Sequence, residues 1–178
     1  MQDKNFDKLS LKFAQNIYGT TKGEIRAAVL WRDLMPELAK LQKPKLRILD
    51  AGGGFGFLSQ KLAAQGHDVV LCDISEQMLA LAQQQIAASD IPLSIELVHS
   101  PIQALTAAQY GHFDVILCHA VAEWLIDAKT TLAGLLTLLK PNGLFSLMFF
   151  NKEALRFHSL VSGNFDYVKR DFVVKKKL

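Results

Sequence analysis

Two acids and a run of glycines are the residues of this chain whose spacing could carry chemistry. Asp50 closes the apolar run "LRILDA", Gly52, Gly53, Gly54 and Gly56 follow, and Asp73 closes a second apolar run, "DVVLCD". A triphosphate loop needs Gly-Lys-Ser/Thr after its glycines, and here the chain reads Gly56-Phe57-Leu58. A dinucleotide fingerprint wants glycines at its first, third and sixth positions, and the sixth falls on Phe57. Two carboxylates at adjacent strand ends suit instead a ligand with a ribose diol and an ammonium, and glycines let it lie against the backbone without meeting Cβ atoms. S-adenosylmethionine has both groups and no phosphate.

The elements that must position these residues are legible as period. "LRILDA", "DVVLCDI", "SIELVHS", "FDVILCHA" and "GLFSLMFFN" are short apolar runs bounded by Gly, Pro or Asp, and read as strands. Between them "EQMLALAQQQIAA" and "AKTTLAGLLTLLK" repeat their apolar residues at three and four and read as helices, with Lys140-Pro141-Asn142-Gly143 as a stop. Strands apolar at nearly every position, alternating with helices, imply a parallel sheet covered on both faces. In such a sheet a ligand sits beyond the carboxyl ends of the strands, at the switch point, where the glycines lie. Residues from about Asp3 to Leu41 read as mostly helical, with a break at "YGTTKG".

Composition narrows the class. A chain of 178 residues, half of them hydrophobic, suits one domain with one core. Cys72 and Cys118 sit inside apolar runs with no partner at ligand spacing, so buried thiols in a reducing compartment are expected, with no disulfide and no metal. No run approaches a membrane helix and the N-terminus lacks an apolar signal core, so a cytoplasmic protein without membrane contact is expected. Net charge is +3, yet residues 152–178 hold seven cations against three anions. A basic end on a near-neutral body suits a polyanionic partner or a solvated terminal segment. His67, His99, His112 and His158 show no ligand spacing and read as turn or surface residues.

The strand order with its paired acids and Gly-x-Gly-x-Gly resembles the class I S-adenosylmethionine-dependent methyltransferases over residues 45–151. The stretches "NIYGTTKGEIRAAVLWRDL", "LDAGGG", "HAVAEW", "SLMFFN" and "SGNFDYV" are similar to one subfamily, the CmoM (SmtA) tRNA 5-carboxymethoxyuridine methyltransferases, along the whole chain. The resemblance implies an α/β fold, a Rossmann-like three-layer sandwich. Too few residues follow "SLMFFN" for the family's strands six and seven, so a truncated end is expected, with strand five left as an apolar edge open to self-association into a homo-oligomer. Residues 1–178 then form a single methyltransferase domain: an N-terminal helical segment 1–44, a cofactor-binding core 45–151 and a basic C-terminal segment 152–178.

What the resemblance implies for the site is specific. Arg26, Gly52, Gly53, Asp73, Ile102 and His119 fall at the cofactor, S-adenosylmethionine, with Asp50, Gly54, Ile74 and Gln103 completing the set. Asp73 would pair with the ribose hydroxyls, Ile102 and Gln103 would frame the adenine, Asp50 would stand near the methionine end, and Arg26 would clamp the cofactor carboxylate with its guanidinium fork. The implied reaction is methyl transfer to the carboxylate of a wobble uridine in the tRNA anticodon loop, giving a methyl ester. A carboxylate is already ionised at neutral pH and needs no base. His119 and Tyr18 are therefore positioning candidates, although His119 stands where either a base or a cofactor partner could stand. Tyr18, Trp124, Arg156 and Tyr167 are candidates for receiving a splayed base, with ordinary packing the alternative for each aromatic. Two other functions suit the same residues: methyl transfer to a small carboxylic acid or other metabolite, and a non-catalytic module that holds S-adenosylmethionine.

Overall fold

The computed structural model describes residues 20–172, which fall into two compact units, one ending at Met148 and the other beginning at Phe149. The first contains helix α1 (Thr21–Lys40), strand β1 (Arg47–Ala51), α2 (Phe57–Ala64), β2 (Asp68–Asp73), α3 (Glu76–Ala87), β3 (Ile95–His99), the single turn α4 (Ala107–Tyr110), β4 (Phe113–His119), α5 (Ala128–Leu136) and β5 (Leu139–Met148). The strands form one parallel sheet in the order β3-β2-β1-β4-β5. The order reverses between β1 and β4, which opens a crevice at their carboxyl ends.

Alternation along the strands builds the three layers. Ile48, Val69, Val115 and Leu117 face one way and pack with Leu34 and Leu38 of α1 and Leu58 and Leu62 of α2. Their neighbours Leu49, Val70, Ile116 and Cys118 face the other way and pack with Leu135 of α5 and with Leu138, just beyond it. Because both faces are covered, β4 is buried from Phe113 to Cys118, and apart from the ion-paired Asp114 those residues are apolar.

The helices start where side chains can satisfy their free amides. Thr20 accepts from Gly23 N at 3.2 Å, Ser75 from Met78 N at 3.2 Å and Asp127 from Thr130 N at 3.0 Å. Thus the break expected at "YGTTKG" is, from Thr20 onward, the cap of α1; the expected helix before it lies outside the described residues. In the second unit α6 (Lys152–Val161) is capped by Asn151, whose Oδ1 accepts from Glu153 N and Ala154 N, and α7 (Phe165–Lys169) follows.

Four expectations are corrected. The helix expected through Lys140 stops at Leu136, because Leu139 already pairs with Phe113 in the sheet. Lys140-Pro141-Asn142-Gly143 is not a stop between elements but an irregularity inside β5: pairing jumps from Phe113↔Leu139 to Val115↔Leu144, with Asn142 at φ 61°. A Cβ on Gly143 would lie 2.9 Å from Asp114 O, so the bulge needs glycine there. β5 also ends at Met148, leaving Phe149 and Phe150 exposed. Finally, His67 is buried and its Nδ1 accepts from Leu46 N at 3.3 Å; burial lowers its pKa, so it serves as a neutral acceptor. Among the described residues the sheet has five strands, with β5 last in its order.

Candidate functional site

β1 delivers Asp50 to the crevice and then turns sharply. Gly52 N and Gly53 N both reach across to Cys72 O, at 2.8 and 3.3 Å, which lays the loop over β2. Gly52, Gly54 and Gly56 have φ of 76°, 61° and 76°, a region closed to most L residues. Their surroundings separate their roles. A Cβ on Gly52 would stand 2.6 Å from Val121 Cγ2, and one on Gly53 2.5 Å from Asp50 Oδ2 and Leu71 Cδ1. Those two glycines are required by the protein's own packing. A Cβ on Gly54 would meet nothing within 4 Å, so Gly54 alone of the three cleft glycines opens its backbone to a ligand.

Asp73 ends β2 and ties the loop down. Gly54 N donates to its Oδ2 at 2.8 Å and Ser75 N to its Oδ1 at 2.8 Å. Asp50 is enclosed, at 4% exposure, and Ser59 Oγ donates to its Oδ2 at 2.7 Å. Burial pushes the Asp50 carboxyl up, the Ser59 hydroxyl pulls it down and the Asp73 charge pushes it up again, to about 6.

At the end of β4, His119 bonds through Nε2 to Ser146 Oγ on β5 at 2.9 Å. Its Nδ1 is buried and, among the described residues, has no hydrogen-bond partner, and burial lowers the ring to about 4. The imidazole is therefore neutral at physiological pH. Ala120 follows at φ 56°, a strained conformation for a residue with a Cβ, and Ala120 N donates to Met148 O at 2.8 Å. That turn carries the chain into Val121, which covers Gly52, and into the short helical turn Ala122–Trp124.

One cleft gathers these residues. Arg26, Asp50, Gly52, Gly53, Gly54, Asp73, Ile74, Ile102, Gln103, His119 and Trp124, all expected from sequence, line it together. Phe55, Leu58, Met78, Pro101, Ala120, Val121, Leu125 and Met148 complete its wall. The sequence reading missed these; the signal that could have found Met148 and Val121 is the rule that carboxyl ends of strands face the ligand, applied to β5 and β4 as well as to β1 and β2. Arg26 is half-buried on α1 and, among the described residues, has no ion-pair partner. The cleft thus holds two carboxylates and an uncompensated guanidinium within an otherwise apolar wall. Such a set suits a zwitterionic amino-acid end with a further cationic centre and a flat apolar base.

Two of the remaining expected residues belong to the second unit. Arg156 Nη1 pairs there with Glu153 at 2.9 Å. Tyr167 is in the same unit, its ring 5.4 Å from that of Phe172 in an edge-to-face contact. Tyr18 lies outside the described residues. Among the described residues no group of three or more His, Cys, Asp or Glu side chains could hold a metal ion, and no helix is long and apolar enough to cross a membrane.

Comparison with known proteins agrees with this geometry. The methyltransferase domain family matches residues 49–147. The tRNA 5-carboxymethoxyuridine methyltransferase of Escherichia coli (strain K12) is 46% identical over 177 residues, covering 99% of this chain and 68% of that protein. A ubiquinone biosynthesis O-methyltransferase of Psychrobacter cryohalolentis is 30% identical over 124 residues, covering 70% of this chain and 48% of that protein. Among solved structures, magnesium protoporphyrin IX methyltransferase from Synechocystis PCC 6803 with bound S-adenosylmethionine superposes with a TM-score of 0.64 at 25% identity, over 76% of this chain and 68% of that one.

Proposed function

This chain belongs to the class I S-adenosylmethionine-dependent methyltransferases, and from that premise we propose that it methylates the carboxylate of 5-carboxymethoxyuridine at the tRNA wobble position. The observation that carries the acceptor is the 46% identity along 99% of the chain to a methyltransferase of that name. On this reading residues 1–178 act as one methyltransferase domain in the cytoplasm, with 45–151 holding the cofactor.

The cleft's own residues support the cofactor half. Arg26 meets the cofactor carboxylate, which supplies the counter-charge it otherwise lacks. Asp50 meets the ammonium, so that the two acid–base pairs of the amino-acid end are each matched. Asp73 holds the glycine loop through Gly54 N and Ser75 N, and its carboxylate is the acceptor that would meet the ribose hydroxyls. Gly54 leaves room for the ribose edge. Ile74, Ile102 and Gln103 frame the adenine, Gln103 through its amide.

Bound in this cleft, S-adenosylmethionine would supply an electrophilic methyl for an acceptor oxygen, its sulfur being the leaving group as a neutral thioether. No proton moves, so no residue need act as a base, and neutral His119 does not add a charge beside the sulfonium. What the chain contributes is alignment and exclusion of water from the carboxylate. Trp124, which lines the cleft, is the aromatic face that would receive an extruded base.

The test is transfer of label from methyl-labelled S-adenosylmethionine to tRNA carrying 5-carboxymethoxyuridine. Label released by mild alkali, as a methyl ester requires, supports the reading. A folded, cofactor-binding protein that leaves such tRNA unlabelled, or labels a small carboxylic acid instead, overturns it.

A further inference from the structure

Among the described residues, Asp50 has one side-chain hydrogen-bond partner, Ser59. Ser59 is fully buried on α2 between Leu58 and Leu62, both of which face the apolar layer under β1. A serine in a helix commonly bonds the backbone of its own helix. Here the hydroxyl crosses instead to β1 and donates to Asp50 Oδ2 at 2.7 Å. A Cβ on Gly53 would lie 2.5 Å from the same Oδ2, so that oxygen is walled in by the loop while the carboxylate as a whole still lines the cleft.

We propose that Ser59 is a positioning residue for cofactor capture: its hydroxyl holds Asp50 ionised and in one rotamer, so that the other carboxylate oxygen faces the ammonium of S-adenosylmethionine. The proposal rests on the reading above that Asp50 meets that ammonium. It adds a residue that touches no ligand and acts only through the acid.

The groups around Asp50 make the effect readable as a pH dependence. From β2 come Asp73 and the Cys72 thiol, from β4 the Cys118 thiol and His119, and α1 brings Arg26 to the same cleft. The two thiols are pushed up to about 12, chiefly by burial, and His119 is held down to about 4, so none of these three changes charge near neutral pH. Asp50, at about 6, does. A ligand that needs the ionised carboxylate loses affinity about tenfold for each pH unit below that titration.

The experiment is calorimetric titration with S-adenosylhomocysteine, which keeps the amino-acid end, from about pH 5 to about pH 8.5. It uses the full chain, Ser59→Ala, Asp50→Asn and the double variant; Ser59→Cys, which fills the same space with a weaker donor, is carried alongside. The expected wild-type Kd is flat at high pH and rises below about pH 6. In Ser59→Ala, and to a smaller extent Ser59→Cys, the bend moves to higher pH, so that binding is about tenfold weaker near pH 6 and within about threefold of wild type near pH 8.5. Asp50→Asn binds weakly with no bend, and Ser59→Ala costs nothing further in that background. A Ser59→Ala loss equal at every pH, or undiminished beside Asp50→Asn, overturns the proposal and leaves Ser59 as packing. Unchanged binding in Ser59→Ala overturns it while leaving the cofactor reading standing. A folded wild-type protein that binds no S-adenosylhomocysteine at any pH overturns both.

Discussion

Asp50 and Asp114 are the same residue type, both buried at 4% exposure in the same sheet, and their chemistry runs in opposite directions. Asp114 stands at the amino end of β4. Lys43 Nζ donates to its Oδ1 at 2.5 Å, Arg47 N to its Oδ2 at 2.9 Å and Lys140 Nζ to the same oxygen at 3.0 Å. Burial pushes its carboxyl up, but Lys43, the Arg47 amide and Lys140 more than offset this and take it down to about 2. Asp50, at the carboxyl end of β1, has one hydroxyl and a neighbouring anion, and goes up to about 6. The amino end of the sheet completes its own charges and so holds the fold; the carboxyl end leaves an acid and Arg26 short of partners and so is ready for a ligand.

The largest effect that could break this contrast is at Asp50. With its folded pKa raised, the ionised acid opposes folding, so stability without cofactor should fall by about 3 kcal/mol as pH rises from about 4 through about 6. Asp50→Asn should abolish that fall and raise the chemical-denaturation midpoint near pH 8 while cofactor affinity drops by about a hundredfold. A variant that lost stability instead would place Asp50 with the structural acids.

Asp114 should show the reverse sign. Its folded pKa is depressed, so its contribution of about 2 kcal/mol is present above about pH 4 and lost as pH falls from there towards about 2. Asp114→Asn should lower stability by about that amount at neutral pH and remove this part of the acid transition, with cofactor affinity within about twofold of wild type. Acid unfolding followed by circular dichroism decides it.

The glycine loop offers a smaller version of the same comparison. Gly52→Ala meets Val121 as well as an unfavourable φ, and should cost about 2 kcal/mol or more in thermal stability. Gly54→Ala has the φ penalty alone, about 1 kcal/mol, but its methyl points into open space at the cleft, so cofactor affinity should suffer more than its melting temperature does. Smallest is Lys43→Met. Its ammonium is half exposed and Lys140 remains, so urea unfolding should show a loss of about 0.5 to 1 kcal/mol.

Much of this was legible in the sequence, for physical reasons. A strand buried on both faces is apolar at most of its positions, so β1, β2 and β4 announced themselves, and acids at the carboxyl ends of two such strands point to the crevice. Asp73 and Gly54 followed from that. Ser59 and Ser146 did not, because a serine amid apolar residues has no signature until its partner is known. Why Gly52 and Gly53 must be glycines was hidden for the same reason: the side chains they make room for, Val121 and Asp50, approach from distant or folded-back parts of the chain. Pro141-Asn142-Gly143 has the composition of a turn, and only pairing with β4 reveals it as a bulge within β5. His67 looked like a turn residue beside Gly66 because nothing local shows that Leu46 N needs an acceptor.

The pairing of β1 with β4 has a consequence for how the protein is made. Arg47 and Asp114, bonded to each other where these two strands begin, are 67 positions apart, and the loop between them must close before the crevice exists. Closing a loop of that length costs entropy that only the finished contacts repay, so it belongs to the slow part of folding. Met148, the last residue of β5, is also part of the wall. During synthesis, therefore, the cleft is assembled only after β5 has left the ribosome. Cofactor binding then becomes a seal on the assembled sheet, selecting the folded molecule and protecting it from proteases that attack its unfolded forms.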